Sequence, residues 1–307
     1  MVQGELCMNE AESSQGVNHY PPERLVGGLR KLLRTERLDT DLYRGLNRED
    51  DRGRVFGGQV IAQALDAASQ SVEEDRIVHS LHAYFLRAGE EGVPIIYRVE
   101  RDFDGRSISN RRVIAIQHGR PIFNFSASFQ RPAEGLTHQL PMPDVPGPED
   151  LPGEIERLEN QEGVPADYLE RMRARPRPIE FRTVETRFVG GGNKQPPFQH
   201  AWMRAVAPVD GPAAEHRTLF AFASDMLLLG TCTLPHGVHW ATEKLMMTSI
   251  DHALWYHEDF RMDEWLLYDK DSPSASAGRG FNRGNFFNQD GVLVASTTQE
   301  ALIRQRS

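Results

Sequence analysis

The sequence predicts an α+β fold, in which an antiparallel sheet wraps around one long helix, and it predicts that this unit occurs twice. The segment around His79 that contains VHSLHAYFLRAG and PIIYRVER is echoed from Met247 by MTSIDHALWYHEDF and EWLLYDKD, about 170 residues later. In both copies a helical pattern precedes several alternating strands, which is the order of an α+β unit. The second copy carries Ser249 and Gln299 where the first has other residues. We therefore expect the function to lie where the copies differ.

The first half is predicted at residues 25–132, after a loose polar tail at residues 1–24. A short helix is expected in LVGGLRKLLR, whose leucines share one face, and a short strand near residues 42–43. The segment FGGQVIAQALDAASQSV predicts the long central helix, with apolar residues at helical spacing: Val60, Ile61, Ala64, Leu65 and Ala68. Four strands follow, at residues 77–87, 94–103, 107–117 and 121–130, with a hairpin turn at His118 and Gly119.

A proline-rich linker is predicted at residues 133–178, and the second half at residues 179–307. Nine of the 19 prolines fall between Pro132 and Pro178, so only short helices are expected in its charged stretches, EIERLENQ and DYLERMRAR. The second half then repeats the order of the first. We expect strands near residues 181–189 and 200–207, a helix at 214–228, and four strands between Leu245 and Arg304.

Composition limits the classes of function. A formal net charge of −9 argues against binding to nucleic acid or to an anionic membrane, because both need a basic face. Two distant cysteines form neither a disulfide framework nor a zinc finger, which favours a reducing compartment. The sequence shows no signal peptide, no apolar run of about 18 residues and no S-K-L ending. We therefore expect a cytoplasmic protein without membrane insertion.

Three polar residues stand out because their neighbours are apolar. Asp225 lies in a helical pattern, and the residues three and four positions away are apolar. It either ends the helix early and is satisfied by backbone donors, or it is a buried general base with a shifted pKa. Gln299 shares a strand face with Ala295, Thr297 and Ala301, so its amide is expected to point inward. Ser249 alternates with Asp251, a nearby carboxylate on the same face that is interpreted as a decoy.

Several longer motifs resemble the acyl-CoA thioesterase II family: RVFGGQVIAQAL, VHSLHAYFLR, ASDMLLL, SIDHALWYH, EWLLY, SASAGRGFNRG and QDGVLVASTTQE. The resemblance runs in order from about Leu29 to Arg304. It implies two fused hotdog domains and hydrolysis of acyl-CoA to free fatty acid and CoA, without metal or other cofactor. It also implies a catalytic trio of Asp225, Ser249 and Gln299 that together hold a water molecule. Many members have Thr where this chain has Ser249, and the hydroxyl is kept.

The resemblance suggests further roles around a medium- to long-chain acyl-CoA substrate. Asp225 would accept the proton of the attacking water. Backbone N–H groups at Gly57 and Gly58 would stabilise the oxyanion, although these glycines equally suit tight helix packing. CoA carries phosphates, and phosphate binding favours arginine. A group of arginines occupies corresponding places in the two copies, and we assign substrate binding to it: Arg106, Arg111 and Arg279, with Arg112 and Arg283 beside them. The first copy has Ala127 or Ser128 at the place of Gln299, so one active site per chain is expected.

Weaker candidates and alternatives remain. The glycines at 190–192, followed by Lys194, resemble a phosphate loop only loosely. His79 and His82 flank an apolar strand, and Cys232, His236 and His239 have incomplete metal-ligand spacing. A hydratase or dehydratase on the same fold, or a non-catalytic acyl-CoA binding protein, would be the alternative functions. The exposed sheet edges suggest a homodimer or homotetramer.

Overall fold

The computed structural model describes residues 20–47, 53–186, 193–238 and 245–305. These ranges contain five α-helices: α1 (Pro22–Leu33), α2 (Gly57–Ser69), α3 (Glu154–Glu159), α4 (Ala166–Ala174) and α5 (Ala213–Ser224). Two 3-10 helices lie at Pro148–Asp150 and Thr231–His236. None of the helices in the described ranges is long and apolar enough to cross a membrane.

Thirteen strands lie in the same ranges. Those before residue 131 are β1 (Thr35–Asp39), β2 (Leu42–Gly45), β3 (Ile77–Phe85), β4 (Ile95–Asp104), β5 (Ile108–Gln117) and β6 (Arg120–Gln130). Those after residue 178 are β7 (Ile179–Thr183), β8 (Phe198–Ala205), β9 (Leu245–Ser249), β10 (Asp251–Tyr256), β11 (Leu266–Ser276), β12 (Arg279–Asn288) and β13 (Leu293–Gln305).

The two halves share one continuous antiparallel sheet. Its order is β1-β2-β4-β5-β6-β3-β10-β13-β12-β11-β8-β7, with β9 paired to β13 beside this path. The halves join where β3 pairs with β10, and within that pairing Leu81 lies opposite Leu254. Each half therefore forms an antiparallel sheet around its own helix, α2 or α5, which confirms the predicted α+β fold.

The central helix α2 is buried on nearly all sides. The five apolar residues that predicted it, Val60, Ile61, Ala64, Leu65 and Ala68, are each at most 4% exposed. The sheet of the first half covers one side of α2, and α5 packs against another. Its Gln59 and Gln63 side chains are buried as well, and their amides donate to backbone carbonyls, so α2 lies in the interior of the protein.

Three local expectations were wrong. β1 was not predicted, because four of its five residues are exposed and the segment lacks a buried alternating face. The helix expected to reach residue 228 ends at Ser224, and Leu227 adopts a positive φ of 64° after it. The strand expected to run through Ile250 is divided into β9 and β10, so the segment from Leu245 holds five strands, not four.

The break at Ile250 is a β-bulge. Opposite β13, Ser249 pairs with Ala301 while Ala253 pairs with Thr298, so the β9–β10 side holds one extra residue. The Asp251 carboxylate accepts the backbone N–H of Glu300 at 2.6 Å, which satisfies a ladder donor inside the bulge. Asp251 therefore has a structural partner, and the bulge changes the direction of the chain directly after Ser249.

The proline-rich segment packs on the outside of the second half. Trp202 donates its indole N–H to the Pro146 carbonyl at 2.9 Å, and Trp265 donates to Glu149 at 3.0 Å. Both tryptophans belong to a small apolar cluster with Met142 and Val145 against it. The segment thus covers apolar surface of the sheet, and α3 and α4 are the short helices that its charged stretches predicted.

Candidate active site

A cavity of about 700 Å³ lies where the two halves of the chain meet. The first half lines it with the start of α2 and the residues after β3, including Gly57 and Phe85. The second half contributes Asp225 and residues of β9, including Ser249. Two of the three residues in the expected trio thus lie on the wall of one cavity, which neither half forms alone.

Asp225 follows the last residue of α5, and 8% of its surface is exposed. Two donors hold its carboxylate: the Gln299 amide, with Nε2 at 2.5 Å from Oδ1, and the backbone N–H of Gly58. Burial raises the pKa of this carboxyl, while both hydrogen bonds oppose the rise. Asp225 therefore ends the helix early, as one interpretation expected, and it is also buried with a raised pKa, while its role as a general base stays a prediction.

The paired glycines at the start of α2 permit two close approaches. A Cβ on Gly57 would lie 2.8 Å from Asp225 Oδ2 and 2.9 Å from the Phe85 ring. A Cβ on Gly58 would clash with the backbone carbonyl of Phe222, where α2 meets α5. Tight helix packing therefore explains Gly58, and contact with the carboxylate explains Gly57. Because the Gly58 N–H is given to Asp225, the Gly57 N–H is the first-turn donor left at the cavity wall.

Gln299 lies on β13 behind Asp225 and is fully buried, as its strand face predicted. Its Nε2 also lies 3.3 Å from His252 Nδ1, whereas its Oε1 is buried with no hydrogen-bond partner in the described part of the chain. Ser249 ends β9 and is half-buried at the cavity. The structure thus brings Asp225 and Gln299 into direct contact and places Ser249 on the same cavity.

His252 is a buried member of this cluster that the sequence reasoning missed. The residue is 0% exposed, and its Nε2 lies 3.0 Å from Ser224 Oγ and 3.3 Å from Thr297 Oγ1. Burial lowers its pKa to about 3, so the imidazole is neutral at ordinary pH. The available signal was its alternation on β10 with Leu254 and Tyr256, which form the buried face of that strand.

The arginines expected to bind CoA phosphates lie away from the cavity lining. Arg111 is 1% exposed and is held within the protein by the Ser71 hydroxyl, the Asp104 carboxylate and three backbone carbonyls, so its guanidinium is not open to a phosphate. Arg106 is exposed in the turn between β4 and β5, and Arg279 is paired with Glu300 at 2.7 Å. A sequence pattern cannot separate an arginine that holds a hairpin together from one that meets a ligand.

Two other arginines line the cavity. Arg54 and Arg87 are both exposed there. Arg54 contacts the Met247 carbonyl at 3.4 Å, and Arg87 contacts the Pro121 carbonyl at 2.7 Å. Each contact uses only part of a guanidinium, which has five N–H donors, so donors remain for an anion.

The weaker candidates do not join the site. His79 donates to or accepts from Ser128 at 2.8 Å, His82 packs edge-on against Trp255, and neither histidine lines the cavity. Cys232 is buried in a 3-10 helix, and no group of three or more metal-ligating side chains occurs in the described ranges. The glycines at 190–192 and His239 lie outside the described residues.

The matching place in the first half is apolar. In the β3–β6 ladder Leu81 pairs with Ala127, whereas the corresponding place in the second half has His252 beside Gln299. Leu81 and Ala127 are both at most 1% exposed. An apolar pair offers no hydrogen bonds to a carboxylate or a water, which supports the prediction of one active site per chain.

Two family models match the chain. The model described as acyl-CoA thioesterase matches residues 169–302, and the one described as acyl-CoA thioesterase N-terminal domain matches residues 48–130. Among curated proteins, the human acyl-coenzyme A thioesterase 8 is 41% identical over 291 residues, which cover 91% of each chain. The acyl-CoA thioesterase 2 of Haemophilus influenzae is 39% identical, covering 91% of this chain and 98% of its own.

Among solved structures, the acyl-CoA thioesterase II TesB2 from Mycobacterium marinum superposes with a TM-score of 0.74 at 37% identity. The match covers 91% of this chain and 99% of that structure. Together with the antiparallel sheet around α2 and α5, this likeness confirms the two fused hotdog units that the sequence motifs implied.

Proposed function

The chain belongs to the acyl-CoA thioesterase family, which makes it an acyl-CoA thioester hydrolase, and on that premise we propose that Asp225, Ser249 and Gln299 hold the attacking water. The observation that carries the proposal is a buried carboxylate on the cavity wall, held by Gln299 and the Gly58 N–H. A raised pKa makes Asp225 a stronger base than an ordinary carboxylate and brings it closer to working pH.

The reaction needs no covalent intermediate. The water oxygen forms a bond to the thioester carbonyl carbon while Asp225 takes one of its protons. The Ser249 hydroxyl orients the water, and the Gly57 N–H at the start of α2 stabilises the oxyanion that forms. The tetrahedral intermediate then collapses and its C–S bond breaks. The CoA thiolate leaves and takes the proton that Asp225 had accepted from the water. The products are a free fatty acid and CoA.

The cavity suits an acyl chain with an anionic carrier. Its size is within the range of small-molecule sites, and apolar residues such as Val60, Phe85 and Phe123 line it. This lining supports a medium- to long-chain fatty acyl group. Arg54 and Arg87 are the charged lining residues that we propose for the CoA phosphates, in place of the arginines that the sequence suggested.

The central test replaces Asp225 by Asn, with Asp251→Asn as the matched control. Free thiol release from palmitoyl-CoA should fall about 10²- to 10⁴-fold in Asp225→Asn, which is the usual scale of general-base help. Asp251→Asn should keep most turnover, because that carboxylate accepts a ladder N–H and does not line the cavity. The proposal fails if the two variants lose the same small amount of activity.

Ser249 and Gln299 are tested separately. Ser249→Ala should lower kcat, while Ser249→Thr should keep it within a few-fold, since the hydroxyl is retained. Gln299→Ala removes a hydrogen bond from Asp225 and should lower kcat at constant KM. Unchanged turnover in Gln299→Ala would remove that residue from the mechanism.

The same assays separate the alternatives. A non-catalytic binding protein would bind acyl-CoA and release no thiol, and a hydratase would change the absorbance of an enoyl-CoA instead. The cytoplasmic location and a homodimer or homotetramer belong to the proposal as well. Cell fractionation and light scattering of the purified protein test them.

A further inference from the structure

A chain of buried polar groups runs behind the catalytic carboxylate. It leads from Ser224 and Thr297 through the His252 imidazole to the Gln299 amide, and from there to Asp225. The first four residues are each at most 1% exposed. In such surroundings every hydrogen must meet an acceptor, so the direction of each hydrogen bond can be worked out.

The two hydroxyls determine which imidazole nitrogen carries the hydrogen. Ser224 donates its single hydrogen to the Ala221 carbonyl at 3.1 Å, and Thr297 donates to the Ala253 carbonyl at 2.8 Å. With their hydrogens on these carbonyls, both hydroxyls present lone pairs to His252 Nε2, at 3.0 and 3.3 Å. Two acceptors on one nitrogen require an N–H there. This arrangement favours the Nε2–H tautomer of His252.

The tautomer in turn determines how the Gln299 amide is oriented. A neutral imidazole with hydrogen on Nε2 has a lone pair on Nδ1, which faces the Gln299 side chain. The NH₂ group of Gln299 can donate one hydrogen to this lone pair and the other to the Asp225 carboxylate. The reversed amide would place Oε1 against two acceptors and form neither bond.

We propose that His252 is a positioning residue, which acts through its Nδ1 lone pair to keep the Gln299 NH₂ group on the catalytic carboxylate. The role rests on the proposed function of Asp225 and Gln299. Without the Nδ1 acceptor the amide can rotate and present Oε1 to Asp225. The carboxylate then loses a donor and gains a repulsive neighbour, so its protonated, inactive form is favoured.

The titratable and charged groups around this cluster do not replace His252. Tyr268 on β11 donates to the Ser224 carbonyl, and burial raises the pKa of its phenol well above the usual range, so it stays neutral. Among the described residues, Lys270 has its Nζ 4.8 Å from the Tyr268 ring centre, and Arg54 and Arg87 line the cavity. Burial also raises the pKa of Asp251 beside His252 on β10, but that carboxylate accepts the Glu300 N–H and does not line the cavity. The pH dependence of the site is therefore expected to come from Asp225.

The test compares pH profiles of kcat/KM for palmitoyl-CoA in the full-length protein. His252→Leu removes the acceptor and should move the acid limb upward by about one pH unit, the equivalent of one hydrogen bond. His252→Asn can offer its Oδ1 near the position of Nδ1 and should move the limb back towards the wild-type value. In the Gln299→Ala background, His252→Leu should cause no further shift, because its effect passes through that amide. An unchanged limb in folded His252→Leu, or additive shifts in the double variant, would overturn the proposal.

A second measurement does not depend on activity or on a folded variant. The imidazole ¹⁵N chemical shifts of His252 in the wild-type protein distinguish a protonated from an unprotonated ring nitrogen. The proposal expects hydrogen on Nε2 alone between about pH 5 and pH 8, and hydrogen on Nδ1 contradicts it. Failure of the proposed mechanism gives a different result from failure of the His252 role. If Asp225 is not the general base, Asp225→Asn keeps its turnover, whichever tautomer His252 adopts.

Discussion

Replacing Gly57 by alanine adds one methyl group at the start of α2, beside the Asp225 carboxylate that we propose as the general base. The new Cβ would lie 2.8 Å from Asp225 Oδ2 and 2.9 to 3.0 Å from two atoms of the Phe85 ring, whereas ordinary contacts begin at 3.4 Å. One group must therefore move by about half an ångström. Asp225 cannot move freely, because Gln299 and the Gly58 N–H hold its carboxylate.

The expected result is a loss of activity with little loss of stability. A misplacement of about 1 Å can cost roughly 10²-fold in rate, so half of that distance predicts about a 10-fold lower kcat. The backbone at Gly57 is helical, and alanine is favoured over glycine within a helix by up to about 1 kcal/mol, which offsets part of the strain. The free energy of unfolding should thus change little, as measured by urea denaturation.

Gly58→Ala is the matched control. Its Cβ would meet the Phe222 backbone carbonyl, which cannot move without separating α2 from α5, so it should destabilise the fold by about 1 to 3 kcal/mol. Thiol release from palmitoyl-CoA and urea denaturation on both variants separate the two effects. Wild-type kcat in Gly57→Ala would refute the reasoning that the position of the Asp225 carboxylate limits the rate.

Three further predictions follow from charge and burial. Because the folded-state pKa of Asp225 is raised, its ionisation costs stability above that pKa, so Asp225→Asn should raise the free energy of unfolding at pH 7.5 and lose this advantage as the pH falls towards 4. The pKa of His252 is about 3 in the folded protein and about 6.5 in the unfolded chain. As the pH falls from 6.5 to 3, only the unfolded chain takes up the proton, so urea denaturation should show the wild-type free energy of unfolding decreasing by roughly 1.4 kcal/mol per pH unit. His252→Asn should reduce this slope. Arg54→Ala and Arg87→Ala should raise KM for palmitoyl-CoA and leave KM unchanged for a palmitoyl thioester that lacks phosphates, if these arginines bind the CoA phosphates.

Much of the fold could be predicted from local sequence patterns. The four strands between Ile77 and Gln130 lie within two residues of their expected limits, because alternation and turn residues are local signals. The end of α5 was missed because Leu228 and Leu229 continue the helical spacing after the chain has turned at Leu227. The bulge at Ile250 was missed because it depends on pairing with β13, which no local pattern records.

Of the site residues, only those that lie within the family motifs could be predicted from the sequence. Asp225 and Gln299 came from those motifs, and their contact joins the end of α5 to β13. His252 was missed because its hydrogen-bond partners come from distant segments and the strand pattern shows only that it points inward. Arg111 was expected to bind a CoA phosphate, but it forms an ion pair with Asp104 across the β4–β5 hairpin. The sequence does not distinguish an arginine in such a pair from one that binds a ligand.

The direct attack of an Asp225-held water is tested most directly by one turnover in H₂¹⁸O with enzyme in excess of palmitoyl-CoA. Mass spectrometry then locates the label in the fatty acid and in the peptide that contains Asp225. General-base catalysis predicts one ¹⁸O atom in the fatty acid and none in Asp225. Label in the Asp225 carboxylate, with an unlabelled fatty acid, would show a covalent acyl intermediate on that residue and contradict the account.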